Sequence, residues 1–127
     1  MNCIATVSAQ KERKEVEGIR QVSAEELKVL MNQEDSKIVD VRKRSEWESQ
    51  HVMGTQNLPL DFINRNMKEL DKSEEYYLHC KSGYRSMIAA SILQSRGYTV
   101  IDVAGGFEAM ESAHFETTEY VCPTTLL

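Results

Sequence analysis

An α/β fold, with a small central parallel sheet flanked by helices on both faces, is what this sequence predicts, and three observations carry it. First, Tyr76-Tyr77-Leu78-His79 and Tyr98-Thr99-Val100-Ile101-Asp102-Val103 are short apolar runs. The stretch between them, Ser86 to Arg96, repeats Met87, Ile88, Ala90, Ile92 and Leu93 at helical spacing. A strand, a helix and a second strand in that order form a crossover unit whose strands lie parallel, with a right-handed connection. Second, Lys37-Ile38-Val39-Asp40-Val41 is a β-branched run that stops in a charged segment, as a buried parallel strand does where it empties into a loop. Third, these runs alternate with helical segments, the order of a layered α/β domain.

Each element has a local reason. Ser23-Ala24-Glu25-Glu26 has the form of a capping box, and Leu27, Leu30 and Met31 then give one apolar face, so a short helix should end near Asn32. Asp61 to Leu70, with Phe62, Ile63, Met67 and Leu70, reads as a further amphipathic helix, and Phe107 to Ser112 as a short one. Gly97 is placed to cap the helix before the last strand. The polar stretch 1–18 reads as an arm or linker, 19–113 as the domain, and 114–127 as a tail.

At 127 residues the chain is the size of one domain. The net charge of −5 argues against nucleic acid as the main partner, since phosphate binding calls for a basic face. No apolar run approaches the roughly 18 residues needed to cross a bilayer, and no secretory leader is visible, so a cytoplasmic protein without a membrane partner is expected. Three cysteines without framework or zinc spacing fit a reducing compartment and imply no metal. Cys3 and Cys122 lie near the ends and read as incidental thiols.

Cys80 is different. It closes a strand and is followed by Lys81, Ser82, Gly83, Tyr84 and Arg85 at the start of a helix. Gly83 can take a backbone conformation closed to other residues, so that successive N–H groups turn inward as an anion nest. Arg85 adds charge and a fork of donors, and Lys81 a further positive charge. A free thiol has a pKa of about 8.5, and a helix N-terminus with cationic neighbours lowers it, so the setting favours a nucleophilic thiolate. Ser82 and Tyr84 are expected to contribute backbone amides, with side chains at the pocket mouth.

Asp40-Val41-Arg42, Glu46-Trp47, His51-Val52-Met53-Gly54, Asn57-Leu58-Pro59-Leu60, Cys80 to Ser86 and Gly105-Gly106-Phe107 resemble, in order and spacing, the rhodanese homology domain. That resemblance, which runs from about Ile19 to Met110, implies a small parallel sheet flanked by helices and a sulfurtransferase with no cofactor. Cys80 would be the nucleophile that carries a persulfide sulfur from thiosulfate or a persulfide donor to cyanide or a thiol, with Lys81 to Arg85 as its cradle. By resemblance Asp40 helps hold the loop, pairing with Arg85, and Arg42 lines the entrance. Gly105-Gly106 should permit a tight turn and close approach to the loop. Trp47 reads as a packing residue, His51 as a structural hydrogen-bonding group, and His79 and His114 as structural or incidental.

Related cysteine phosphatases and arsenate reductases have a longer spacer between cysteine and arginine than the four residues here, so oxyanion chemistry is the alternative enzyme reading. A non-catalytic docking module is the other, and retention of Cys80, Gly83 and Arg85 speaks against it. Gln50, Thr55 and Met110 depart from the glycine, alanine and tryptophan common at these places. The tail, with the polar start, resembles rhodanese segments that close longer bacterial chains carrying a metallo-β-lactamase-type domain. This implies a low-molecular-weight persulfide as substrate and such a domain as neighbour.

Overall fold

The computed structural model describes residues 18–33 and 36–122. Residues 1–17, and with them Cys3 and nearly all of the expected arm, lie outside the described residues. Among the described residues five strands form one sheet: β1 (Arg20–Val22), β2 (Lys37–Asp40), β3 (Gln56–Asn57), β4 (Glu75–His79) and β5 (Thr99–Val103), in the order β1-β5-β4-β2-β3. Every pairing is parallel. Among the described residues five α-helices accompany them: α1 (Ala24–Gln33), α2 (Arg44–Ser49), α3 (Ile63–Asn66), α4 (Tyr84–Ser95) and α5 (Gly106–Ser112).

Because side chains alternate along a strand, the sheet has two apolar faces, and each is covered. On one, Val39, Leu78 and Val100 meet Ala89, Ala90 and Leu93 of α4 together with Ile63 and Met67. On the other, Ile38, Tyr77 and Ile101 meet Ala24 and Leu27 of α1 and Phe107 and Met110 of α5. Truncating a fully buried residue such as Leu78 at such a face typically removes about 2–5 kcal/mol.

The capping box on α1 is present in both directions: Glu26 N–H donates to Ser23 Oγ at 3.0 Å, and Ser23 N–H to Glu26 Oε1 at 2.8 Å. Gly97, at φ +93°, ends α4 as expected, with Tyr98 N–H reaching back to the Leu93 carbonyl at 3.1 Å. The expected helix over 61–70 is not continuous. It is a 3-10 turn (Leu60–Phe62), the single turn α3, and a second 3-10 turn (Met67–Glu69). Phe62 and Asn66, with ψ of 18° and 0°, break the run, yet Ile63, Met67 and Leu70 still point inward.

The tail does not stand apart from the core. Phe115 is buried against the α1/α5 layer, and 116–121 is strapped antiparallel to the segment after α2. Met53 N–H donates to Glu116 O at 2.8 Å, Thr118 N–H to His51 O at 2.9 Å and Val121 N–H to Ser49 O at 2.8 Å. Gln50, the residue in place of a glycine, contributes by donating from Nε2 to Thr118 O at 3.1 Å. Among the described residues no helix is long and apolar enough to cross a membrane.

Candidate active site

All strands run the same way, so their carboxyl ends share one edge of the sheet, where loops of open α/β folds gather ligands. Cys80 follows β4 at that edge, between β5 and β2. It is 1% exposed. Its sulfur turns into the loop and accepts the Gly83 N–H at 3.0 Å, and it lies 3.6 Å from Ser86 Oγ. Gly83 stands at φ +118°, just before the first turn of α4.

The carbonyls of this loop are drawn the other way. Phe107 N–H donates to Cys80 O at 2.7 Å and Glu108 N–H to Lys81 O at 3.1 Å, so the first turn of α5 holds the loop's acceptors. That approach depends on Gly106, where a Cβ would stand 2.4 Å from Cys80 O and 2.8 Å from the Lys81 carbonyl carbon. The close approach expected of Gly105-Gly106 is thus found. Lys81, Ser82 and Tyr84 expose their side chains around the loop, Tyr84 at 76%.

Arg85 does not pair with Asp40. Its guanidinium forms two parallel bonds to Glu46 of α2, at 2.7 and 3.1 Å. The Arg85 hydrogen bond holds the Glu46 carboxyl below the usual carboxylate range, and the same bond raises Arg85. Cys80 is among the groups whose charge adds to the Arg85 shift. Glu46 also accepts from Lys43 N–H at 3.0 Å, so one carboxylate caps α2 and anchors the active loop's arginine.

Asp40 pairs with Arg42 instead, and neither lines an entrance. Asp40 is fully buried and Arg42 5% exposed. Asp40 accepts from Arg42 N–H and Nε at 2.9 and 3.0 Å, and from Nη2 at 2.8 Å. The guanidinium continues to Gln50 O at 2.7 Å and lies over the Phe107 ring, 4.6 Å from its centroid. Strand alternation explains the difference: Asp40 faces the α5 layer, whereas Cys80 faces α4. A charge with no solvent at that position takes the arginine two residues on.

His79 sits behind the loop, fully buried, with Nδ1 3.0 Å from Cys80 O and Nε2 3.7 Å from Asp40 Oδ2. A carbonyl only accepts, so Nδ1 carries the proton. Burial pushes the His79 pKa down, against the pull of Asp40, so the ring is neutral. His51 has the structural bond expected, Nδ1 to Trp47 O at 2.7 Å, and Trp47 stacks on it with centroids 3.8 Å apart. Thr55 accepts from Trp47 Nε1 at 3.2 Å, and Met110 is fully buried, so both departures are absorbed in packing.

Sequence reasoning assigned no role to Glu46 or Asp102. An acidic residue three positions into a helix following a basic loop, and an acidic residue inside a β-branched strand, were the available signals. Among the described residues no group of three or more His, Cys, Asp or Glu could hold a metal.

A parallel α/β domain whose buried cysteine closes a strand inside a glycine-turned loop defines a class of cysteine-loop proteins. Within it the chain belongs to the rhodanese family: residues 23–113 match the Rhodanese-like domain. It is 32% identical over 91 residues to the thiosulfate sulfurtransferase GlpE of Pseudoalteromonas translucida, covering 71% of this chain and 87% of GlpE. It is 34% identical over 90 residues to YrkF of Bacillus subtilis, named as a candidate sulfur carrier protein, covering 69% of this chain. The chain spans 49% of YrkF and 59% of another Bacillus subtilis relative, YqhL, so it matches about half of those proteins. The crystal structure of a rhodanese-like domain protein from Staphylococcus aureus superposes with a TM-score of 0.71 at 29% identity, covering 77% of this chain and 97% of that one.

Proposed function

We propose that the chain is a sulfurtransferase that moves sulfane sulfur from thiosulfate or a low-molecular-weight persulfide to cyanide or a thiol through a persulfide on Cys80. The observation that carries this reading is the Gly83 N–H aimed at Cys80 Sγ at 3.0 Å, while α5 holds the carbonyls of Cys80 and Lys81. A loop so arranged offers a sulfur anion donors and withholds acceptors.

In the first half-reaction the Cys80 thiolate attacks the sulfane sulfur of thiosulfate. The new bond is Sγ–S, the bond to the sulfite sulfur breaks, and sulfite leaves with the electron pair. In the second, the acceptor attacks the outer sulfur and Cys80 regains its pair as a thiolate. The naming of relatives as thiosulfate sulfurtransferases supports the donor, and the four-residue spacer from Cys80 to Arg85 supports a small outer atom over a tetrahedral oxyanion. Lys81, exposed beside the loop, supplies positive charge at the mouth for an anionic donor, while the charge of Arg85 is shared with Glu46.

Intact mass after incubation with thiosulfate tests this directly. One added sulfur mapped to Cys80, absent from Cys80→Ala, is expected. Equal thiosulfate:cyanide rates in wild type and Cys80→Ala, or hydrolysis of an aryl phosphate in place of sulfur loading, would overturn it.

A further inference from the structure

Asp102 is a carboxylate in the middle of an apolar strand, fully buried. Its register partner is Leu78, so it lies on the face of the sheet that carries Cys80 and α4. Oδ2 accepts from Gln21 Nε2 of β1 at 2.8 Å, and Oδ1 has no hydrogen-bond partner among the described residues. Burial raises the Asp102 pKa, while the neighbouring Ser86 hydroxyl and Gln21 pull it back. Ser86, also fully buried, sits in the first turn of α4 with Oγ 3.3 Å from Gly83 O and 3.6 Å from Cys80 Sγ. Asp102 of β5 and Ser86 of α4 are thus both fully buried and share the face of the sheet that carries Cys80, with one carboxylate oxygen left unsatisfied among the described residues and the Ser86 hydroxyl beside the sulfur.

A hydroxyl has one proton to donate and lone pairs to accept with. With its proton turned toward Asp102 or Gly83 O, Ser86 presents a lone pair to the sulfur and accepts from a thiol. With its proton turned to the sulfur, it stabilises the anion. We propose that Asp102 is a positioning residue for Cys80 that acts through Ser86, its charge state setting whether the Ser86 hydroxyl accepts from the thiol or donates to the sulfur anion. Ionised Asp102 draws the hydroxyl proton away. Protonated Asp102 donates to Ser86 Oγ and frees the hydroxyl proton for sulfur, so the two arrangements differ by the one proton on Asp102.

The charged and titratable groups around these side chains are few in kind. Arg85 of α4 is paired with Glu46. His79 of β4, with Asp40 and Arg42, lies on the opposite face of the sheet. Lys81 is exposed, and β1 contributes the uncharged Gln21. The functional meaning rests on Cys80 as sulfur carrier, but the coupling itself is a property of the thiol and can be read without any sulfur transfer.

The readout is the ultraviolet thiolate absorbance of the full chain against pH, with the Cys80→Ala signal subtracted to remove Cys3 and Cys122. Asp102→Asn cannot ionise, and about tenfold more Cys80 thiolate is expected at a given pH on the rising limb. In a Ser86→Ala background the same substitution should have no effect, and Ser86→Thr, which keeps the hydroxyl, should restore it. An unshifted Asp102→Asn profile overturns the proposal, and so does an equal shift with and without Ser86, which would mean a bare field effect. Should Asp102→Asn fail to fold, carboxyl-carbon NMR of Asp102 in otherwise native chain takes its place. There Ser86→Ala should move the Asp102 titration, and an unmoved one overturns the coupling. Thiosulfate loading is measured separately: no loading with the coupling intact rejects the sulfurtransferase reading alone.

Discussion

Gly106 and Gly83 confine the Cys80 loop by different physics, and substitution separates them. Gly106 also stands at positive φ, +60°, but there the larger obstacle is space, since a Cβ would fall 2.4 Å from Cys80 O, a backbone atom that cannot step aside without opening the loop. Gly106→Ala is expected to lose about 2 kcal/mol or more in urea denaturation and to slow thiosulfate loading. At Gly83 a Cβ would meet only Gly105 N, at 3.6 Å, so the penalty is conformational: φ of +118° disfavours any L side chain. Gly83→Ala should cost about 1–2 kcal/mol and weaken the bond to sulfur. Glu46→Gln leaves Arg85 a neutral partner. Because the pair is about a third exposed, the stability loss should be only about 0.5–1 kcal/mol, whereas a raised KM for thiosulfate would show that the guanidinium had left its place.

Among elements, the junction of β2 with α2 is the one most exposed to a single change. Arg42 ties Asp40, the Gln50 carbonyl and the Phe107 ring together, and so joins a strand end, a helix end and α5. Arg42→Ala would leave the Asp40 carboxylate buried without its cation, a loss of about 3–5 kcal/mol that thermal denaturation would register. The same region marks what was legible in the sequence. β2, β4 and β5 were readable because parallel strands covered on both faces become short apolar runs, and α1 and α4 because their caps and apolar faces are local. β1 and β3, of three and two residues, exist only by pairing with a neighbour, and nothing local distinguishes them from loop. α2 is short and charged, stabilised by the Arg44–Glu48 pair and by Glu46, so it read as the loop after β2. At the site, Cys80, Gly83 and the glycine pair were legible because their spacing carries the geometry. The partners of Arg85 and Asp40 were not, since which face of the sheet an acidic side chain meets depends on register across the whole domain.

For the molecule as a whole, three buried or half-buried groups give stability a defined dependence on pH. His79 is held neutral, its pKa pushed below the 6.5 of a free imidazole by burial. The unfolded chain takes up a proton there before the folded one does, so the contribution is complete above about pH 6.5 and is lost as pH falls through the lowered folded value. Glu46, also lowered, acts with the same sign in a more acidic window, below 4.5. Asp102 acts oppositely, because its pKa is raised by burial: whatever stability the neutral carboxyl gives is present below 3.8 and lost as pH rises through the folded value. As pH falls from 6.5 toward 3.8, the loss from the histidine is therefore opposed by the gain from the carboxylate on the opposite face of the sheet. Asp102→Asn removes the opposing contribution, and its urea midpoint should fall more steeply than wild type over that window as the pH is lowered. A wild-type midpoint that fell as steeply as that of Asp102→Asn would mean that Asp102 makes no opposing contribution and that burial does not raise its carboxyl in the folded chain.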